Sequence, residues 1–196
     1  MSLNGFSVRT NAGTKRSRFH GYGPKGWGSL SVMATRTLGA PQSTIIGLFL
    51  FLVAAALAAS PLPLFYRSAG ILLLMYLVFG VAGMPFVYLT ALIAPPVGLV
   101  SGDPNWLIML PIIMTSSLLA ALGLEYAWRY PAIVVSPLLA VAPFLIVLTL
   151  SRQELFAITL PWEPVGSWIA LHTLVALAGV LINVFIDRRR EKLETA

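Results

Sequence analysis

The chain lacks cysteine altogether, holds only two histidines and seven acidic residues, and carries almost no charge through its middle. Without cysteine there are no disulfides, no thiolate metal sites and no thiol nucleophile. Of the two histidines only His172 falls in an apolar region, and one imidazole with no carboxylate nearby in sequence is too few for a metal site. Carboxylates are never paired within an apolar run, and there is no phosphate loop, HExxH, GxSxG or CxxC. The segment Gly23-Pro24-Lys25-Gly26 is glycine-rich around a lysine, but it lacks the upstream glycine spacing and the following Ser or Thr that a phosphate loop uses. These absences argue against an enzyme: no catalytic residue, cofactor or metal is expected, and nucleotide hydrolysis would have to come from elsewhere.

What the sequence has instead is apolar surface. Hydrophobic residues make up 58% of the 196 positions and charged residues 10%, against roughly a quarter charged in an ordinary soluble protein. A hydrocarbon layer about 30 Å thick takes roughly 20 apolar residues per helical crossing. A chain of this length therefore has room for several crossings and no large soluble domain. The net charge of +6 does not point to nucleic acid, because the basic residues sit at the two ends. Arg9, Lys15, Arg16, Arg18, Lys25 and Arg36 precede the first apolar run, and Arg188, Arg189, Arg190 and Lys192 follow the last. That is the positive-inside pattern, with anionic lipid headgroups as partner.

Residues Met1 to Gly39 have no acidic side chain and no apolar period, which reads as a disordered basic cytoplasmic tail over 1–40. A transit-like segment, or a true start at Met33, are alternatives. The transmembrane region, 41–187, divides into about six spans. The first runs from Ser43 to Ser60 and is stopped by Pro61 and Pro63. Ser68 to Gly102 is free of charge and, as one helix, would extend about 50 Å. Gly80, Gly83 and Pro85 mark a break into Ala69–Gly83 and Phe86–Gly102, the latter expected to kink at mid-depth at Pro95-Pro96. One tilted span plus a re-entrant segment is the alternative. Asn105–Leu124, Pro131–Leu150 and Val165–Ile186 complete the set, followed by a short basic tail, 188–196. An even number of crossings puts both termini and Arg129 on the cytoplasmic side and leaves only Arg67 and Arg152 outside. The expected fold is thus an all-α, polytopic helical bundle in the cytoplasmic (inner) membrane.

Two groups of residues stand out. Ala54 and Ala58, and Ala55 and Ala59, lie one turn apart on the first span, forming small faces suited to close helix approach. They serve either packing within the bundle or docking of another membrane subunit, and Ser116/Ala120 and Ser117/Ala121 repeat the pattern. On the outer side, Tyr66 and Arg67, then Asp103, Asn105 and Trp106, then Arg152, Glu154, Trp162, Glu163 and Trp168 gather polar and aromatic side chains, with His172 one turn from Trp168 on the same face. One reading is an interfacial aromatic belt with solvated loops. The other is a shallow outward pocket in which aromatic faces stack a flat or cationic ligand and charges orient it. On the inner side, Glu125 and Arg129 form an i,i+4 pair expected to steady the connection between spans four and five. Asn183 is expected to be solvated by headgroups.

Six short spans with both ends inside, an alanine-rich first span and a long third outer connection resemble the substrate-capture (S) components of energy-coupling factor vitamin transporters. The outline, over roughly residues 43–190, also resembles the cell-shape protein family MreD. The first resemblance implies a small-molecule binding subunit whose AxxxA face, matched here by Ala54/Ala58 or Ala55/Ala59, docks on a coupling subunit powered by a separate ATPase. It implies a pocket at Trp106, Trp162, Glu163, Trp168 and His172, beside Arg67 and Asp103. The second implies a structural subunit that recruits protein partners. Pro95-Pro96 and the long basic tail depart from the S-component layout.

Overall fold

A computed structural model describes residues 41–126, 132–152 and 165–194. Among the described residues there is no strand. The described residues form six α-helices: α1 (Pro41–Ala59), α2 (Leu64–Ala82), α3 (Met84–Val97), α4 (Pro104–Tyr126), α5 (Ala132–Arg152) and α6 (Val165–Glu194), with a 3₁₀ turn at Gly98–Ser101. Each contains, alone or with the 3₁₀ turn, a segment of at least 18 residues long and apolar enough to cross a membrane. Helix is the form in which such a segment satisfies its own backbone in lipid. Ile45, Phe49, Leu52, Leu107, Val134, Leu138, Ile146, Leu174, Leu181 and Phe185 are exposed, an outer surface that suits hydrocarbon and not water. The chain is a multi-pass membrane protein.

Helix limits follow from local chemistry. Pro63 precedes α2 in an extended conformation, and the break before α3 falls at one residue, Gly83, with φ 83°, a left-handed value that favours glycine. Gly102 takes φ 68° after the 3₁₀ turn. Asp103 then caps α4, its Oδ1 accepting the Asn105 N–H at 3.0 Å.

Named contacts fix the alternation of the helices. Gly47 of α1 lies against Ala82 and Phe86, where α2 ends and α3 begins, while Leu57 lies against Gly70 near the start of α2. Trp106 at the start of α4 meets Pro95 and Gly98, and Glu125 near its end meets Tyr88. Phe65 of α2 meets Trp168 of α6, and Asn183 meets Tyr76 and Gly80. The described helices therefore cross the bundle six times, and α1 begins at the same end at which α6 finishes. We call that the terminal end, and the other, which carries Phe65, Arg67, Trp106 and Trp168, the Arg67 end. α2 packs against α1, α3, α4 and α6, and α1–α3, α3–α4, α4–α5 and α5–α6 pack pairwise around it.

Small residues make these approaches possible. A β-carbon at Gly123 would sit 2.8 Å from the Ser136 Cα, and one at Gly179 would overlap the Tyr76 ring. Polar side chains then tie helix to helix. Tyr76 Oη lies 2.7 Å from Ser136 Oγ; because Ser136 Oγ donates to the Ala120 carbonyl at 2.9 Å, the tyrosine is the donor in the first bond. Ser116 Oγ donates to the Ala140 carbonyl, close to Pro143, which removes a backbone donor from α5.

Three expectations change. The second span begins at Leu64, so Tyr66, Arg67 and Ser68 belong to the helix and not to a connection. Pro95 and Pro96 do not break the third span at mid-depth; they occupy the last turn of α3, which runs to Val97 and tightens into the 3₁₀ turn. Asn183 is not solvated by headgroups: it is fully buried, its Nδ2 donating to the Tyr76 carbonyl at 2.8 Å and the Gly179 carbonyl at 3.0 Å. Its Oδ1 has no hydrogen-bond partner and rests against Gly80.

Candidate functional site

The Arg67 end is organised by one cation. Arg67 sits in the first turn of α2 and is 2% exposed. Its guanidinium lies over the Trp106 ring, 4.1 Å from the centroid, within cation–π range. Nη1 donates to Asp103 Oδ2 at 3.4 Å and Nη2 to Ser101 Oγ at 3.2 Å, while Nε has no partner. Among the described residues only two of the five N–H groups find partners, both at long distances, where an arginine–carboxylate fork would place two parallel bonds at about 2.8 Å.

The floor beneath the cation is rigid. Trp106 is fully buried; its Nε1 donates to the Pro95 carbonyl at 2.9 Å. Its indole covers Gly98 so closely that any β-carbon there would overlap the ring. The two prolines thus help to place an acceptor for the indole instead of bending the span. The cover is looser. It consists of Ser101, Gly102 and Asp103; Gly102 is exposed and its α-carbon faces open space, and the Asp103 side chain is 26% exposed.

Beside this group lies an aromatic cluster. Trp168 and His172 stack with their rings 7° from parallel and 5.5 Å apart. Phe65 meets Trp168 edge-on at 5.4 Å, and Phe144 lies 4.7 Å from the His172 ring. His172 Nδ1 is 2.9 Å from the Trp168 carbonyl, an acceptor, so Nδ1 carries the proton. Both Trp168 and His172 are buried.

Of the seven residues expected to line a pocket, Arg67, Asp103 and Trp106 meet directly, and Trp168 and His172 meet each other. Trp106 and Trp168 belong to one buried cluster with Ile71, Met109, Ile113 and Phe144. Trp106, Trp168 and His172 are packed against protein and do not line an open surface. Trp162 and Glu163 lie outside the described residues, as does Arg129 of the expected pair with Glu125. Glu125 accepts the Tyr88 hydroxyl. Ala54 and Ala58 are fully buried and pack in the same cluster; Ala55 and Ala59 are half-buried. Sequence reasoning missed Ser101, Phe65 and Phe144 as members of these groups. For Phe65 a usable signal exists, its place in the helical turn next to Arg67.

Comparison of the chain with protein-family models, with curated proteins and with solved structures finds no match.

Proposed function

We propose that this chain is a membrane-embedded small-molecule binding subunit of a transporter, which captures a solute at the Arg67 end and relies on partner membrane subunits for energy. The proposal places it in the cytoplasmic membrane, with the terminal end cytoplasmic, its basic termini on anionic headgroups and the Arg67 end outward. The observation that carries it is a buried cation with an unfilled donor. A basic side chain near the end of a span ordinarily reaches out to the interface. Here it is turned inward onto Trp106 with a donor unused. Equilibrium binding and native mass spectrometry across vitamins and central metabolites test the reading. A stoichiometric ligand whose binding falls on Arg67→Gln supports it, and no ligand across the set counts against it.

A second reading, a structural subunit that recruits protein partners, is favoured by a different observation: Trp106, Trp168 and His172 are already close-packed. Under that reading crosslinking in native membranes recovers a stable complex, and the purified chain holds no solute.

A further inference from the structure

Arg67 is held by too little to account for its position. A guanidinium removed from water needs its donors filled and its charge balanced. The charge is balanced by Asp103, but by one oxygen at 3.4 Å; the other, Oδ1, is committed to the Asn105 N–H at 3.0 Å. Only Oδ2 faces the arginine, while Oδ1 serves the cap of α4. Ser101 has a second task as well, donating to the Gly98 carbonyl at 2.7 Å. The buried Nε is left with no partner. The groups under the cation are fixed by helix packing and by the Trp106 to Pro95 bond, whereas the groups over it belong to a short, partly exposed segment around Gly102.

We propose that Arg67 is a recognition site for an oxyanion, a carboxylate or phosphate group, and that Asp103 occupies it as a displaceable internal substitute. The arriving anion takes the Nε and Nη2 donors as a fork, displacing the Ser101 hydroxyl, and its charge replaces that of the Asp103 carboxylate, which leaves Nη1 while keeping its bond to Asn105. This rests on the solute-binding reading above and deepens it by giving the ligand a charge. The aromatic face of Trp106 stays under the guanidinium throughout, so the anion meets the donors at the guanidinium edge, in the plane of their N–H bonds. The same chemistry could be presented by a soluble metabolite or by a phospholipid headgroup in the outer leaflet.

The test uses the full chain in phosphatidylcholine nanodiscs, titrated calorimetrically with inorganic phosphate and with succinate. A second arm uses native mass spectrometry of nanodiscs containing phosphatidylglycerol. Asp103→Asn keeps the cap acceptor and removes the competing charge. It should tighten binding of the effective anion about tenfold, the worth of one charged hydrogen bond, and Arg67→Gln should abolish it. Saturable binding of phosphate or succinate with this pattern supports a soluble oxyanion. Retention of phosphatidylglycerol alone, with the same dependence on both residues, supports oxyanion recognition and assigns the source to lipid. Because Asp103→Asn predicts a gain, the outcome is readable even if Arg67→Gln does not fold. No anion bound from either source by the native chain or by Asp103→Asn overturns the proposal. A neutral or cationic solute bound independently of Arg67 overturns it too, while leaving the solute-binding reading intact.

Discussion

Replacing Gly80 by alanine probes the seam between α2 and α6, because the sign of the effect is informative. In an unobstructed helix interior, glycine to alanine is stabilising by up to about 1 kcal/mol. Here the new β-carbon would overlap Asn183 Oδ1 and sit 3.3 Å from the Ile186 Cδ1. Asn183 must then move, and it is fully buried, with both Nδ2 bonds directed at carbonyls. Interhelical hydrogen bonds in bilayers are worth about 0.6 kcal/mol on average and up to about 1.7, and forcing extra volume into a packed seam adds about 1–3 kcal/mol. With the propensity gain subtracted, Gly80→Ala should destabilise by about 1–2 kcal/mol. In an Asn183→Ala background the obstacle is gone, and the same change should be neutral or stabilising, a coupling of about 1 kcal/mol or more. Reversible unfolding of the full chain in mixed micelles with dodecyl sulfate, followed by circular dichroism, measures all four corners of the cycle. Strict additivity would refute the inferred contact.

Gly98→Val should push the Trp106 indole off its seat and break the bond to the Pro95 carbonyl; tryptophan emission should shift to the red and become more accessible to aqueous quencher. At the Tyr76–Ser136 pair, Ser136→Ala should cost more than Tyr76→Phe. The first leaves a buried phenol without a partner, a penalty of about 1–3 kcal/mol, whereas the second leaves Ser136 still bonded to the Ala120 carbonyl; unfolding midpoints in the same micelles give the order. Trp168→Ala should remove the edge contact with Phe65 and the stack on His172, at about 3–5 kcal/mol, while Trp168→Phe retains most of the stability by the same assay.

The sequence exposed the features that depend on one segment at a time. Span number, the break at Gly83 and the i,i+4 placement of Trp168 and His172 follow from length, glycine and helical period, and all three appear in the structure. What it concealed depends on residues far apart in the chain. Arg67 looked like part of a connection because a charge in an apolar run is unfavourable alone; its partner is 36 positions away, beyond any local window. Asn183 looked like a headgroup contact because it lies near the end of a span, and the space that admits it is made by Gly80 in another helix. Pro95-Pro96 looked like a mid-span break because the span was taken to run from Phe86 to Gly102, which puts the pair near its middle. In the structure α3 ends at Val97 and the Pro95 carbonyl is used by Trp106. The alanine faces of the first span were legible as small faces, but which neighbour each one meets is set by the order in which the helices pack.

The membrane topology is the claim on which the rest stands, and the absence of cysteine from the sequence makes it directly measurable. Single cysteines would be placed at Ser17 and Glu194, at Val100, which is 81% exposed at the Arg67 end, and at Gln153, then treated in intact cells with a membrane-impermeant maleimide. The account predicts labelling at Val100 and Gln153, and labelling at Ser17 and Glu194 only after the cells are opened. Reaction of Ser17 and Glu194 from opposite sides would contradict the six-crossing bundle. Protection of Val100 together with labelling of both termini in intact cells would turn the Arg67 end toward the cytoplasm and remove the basis for outward capture of a solute.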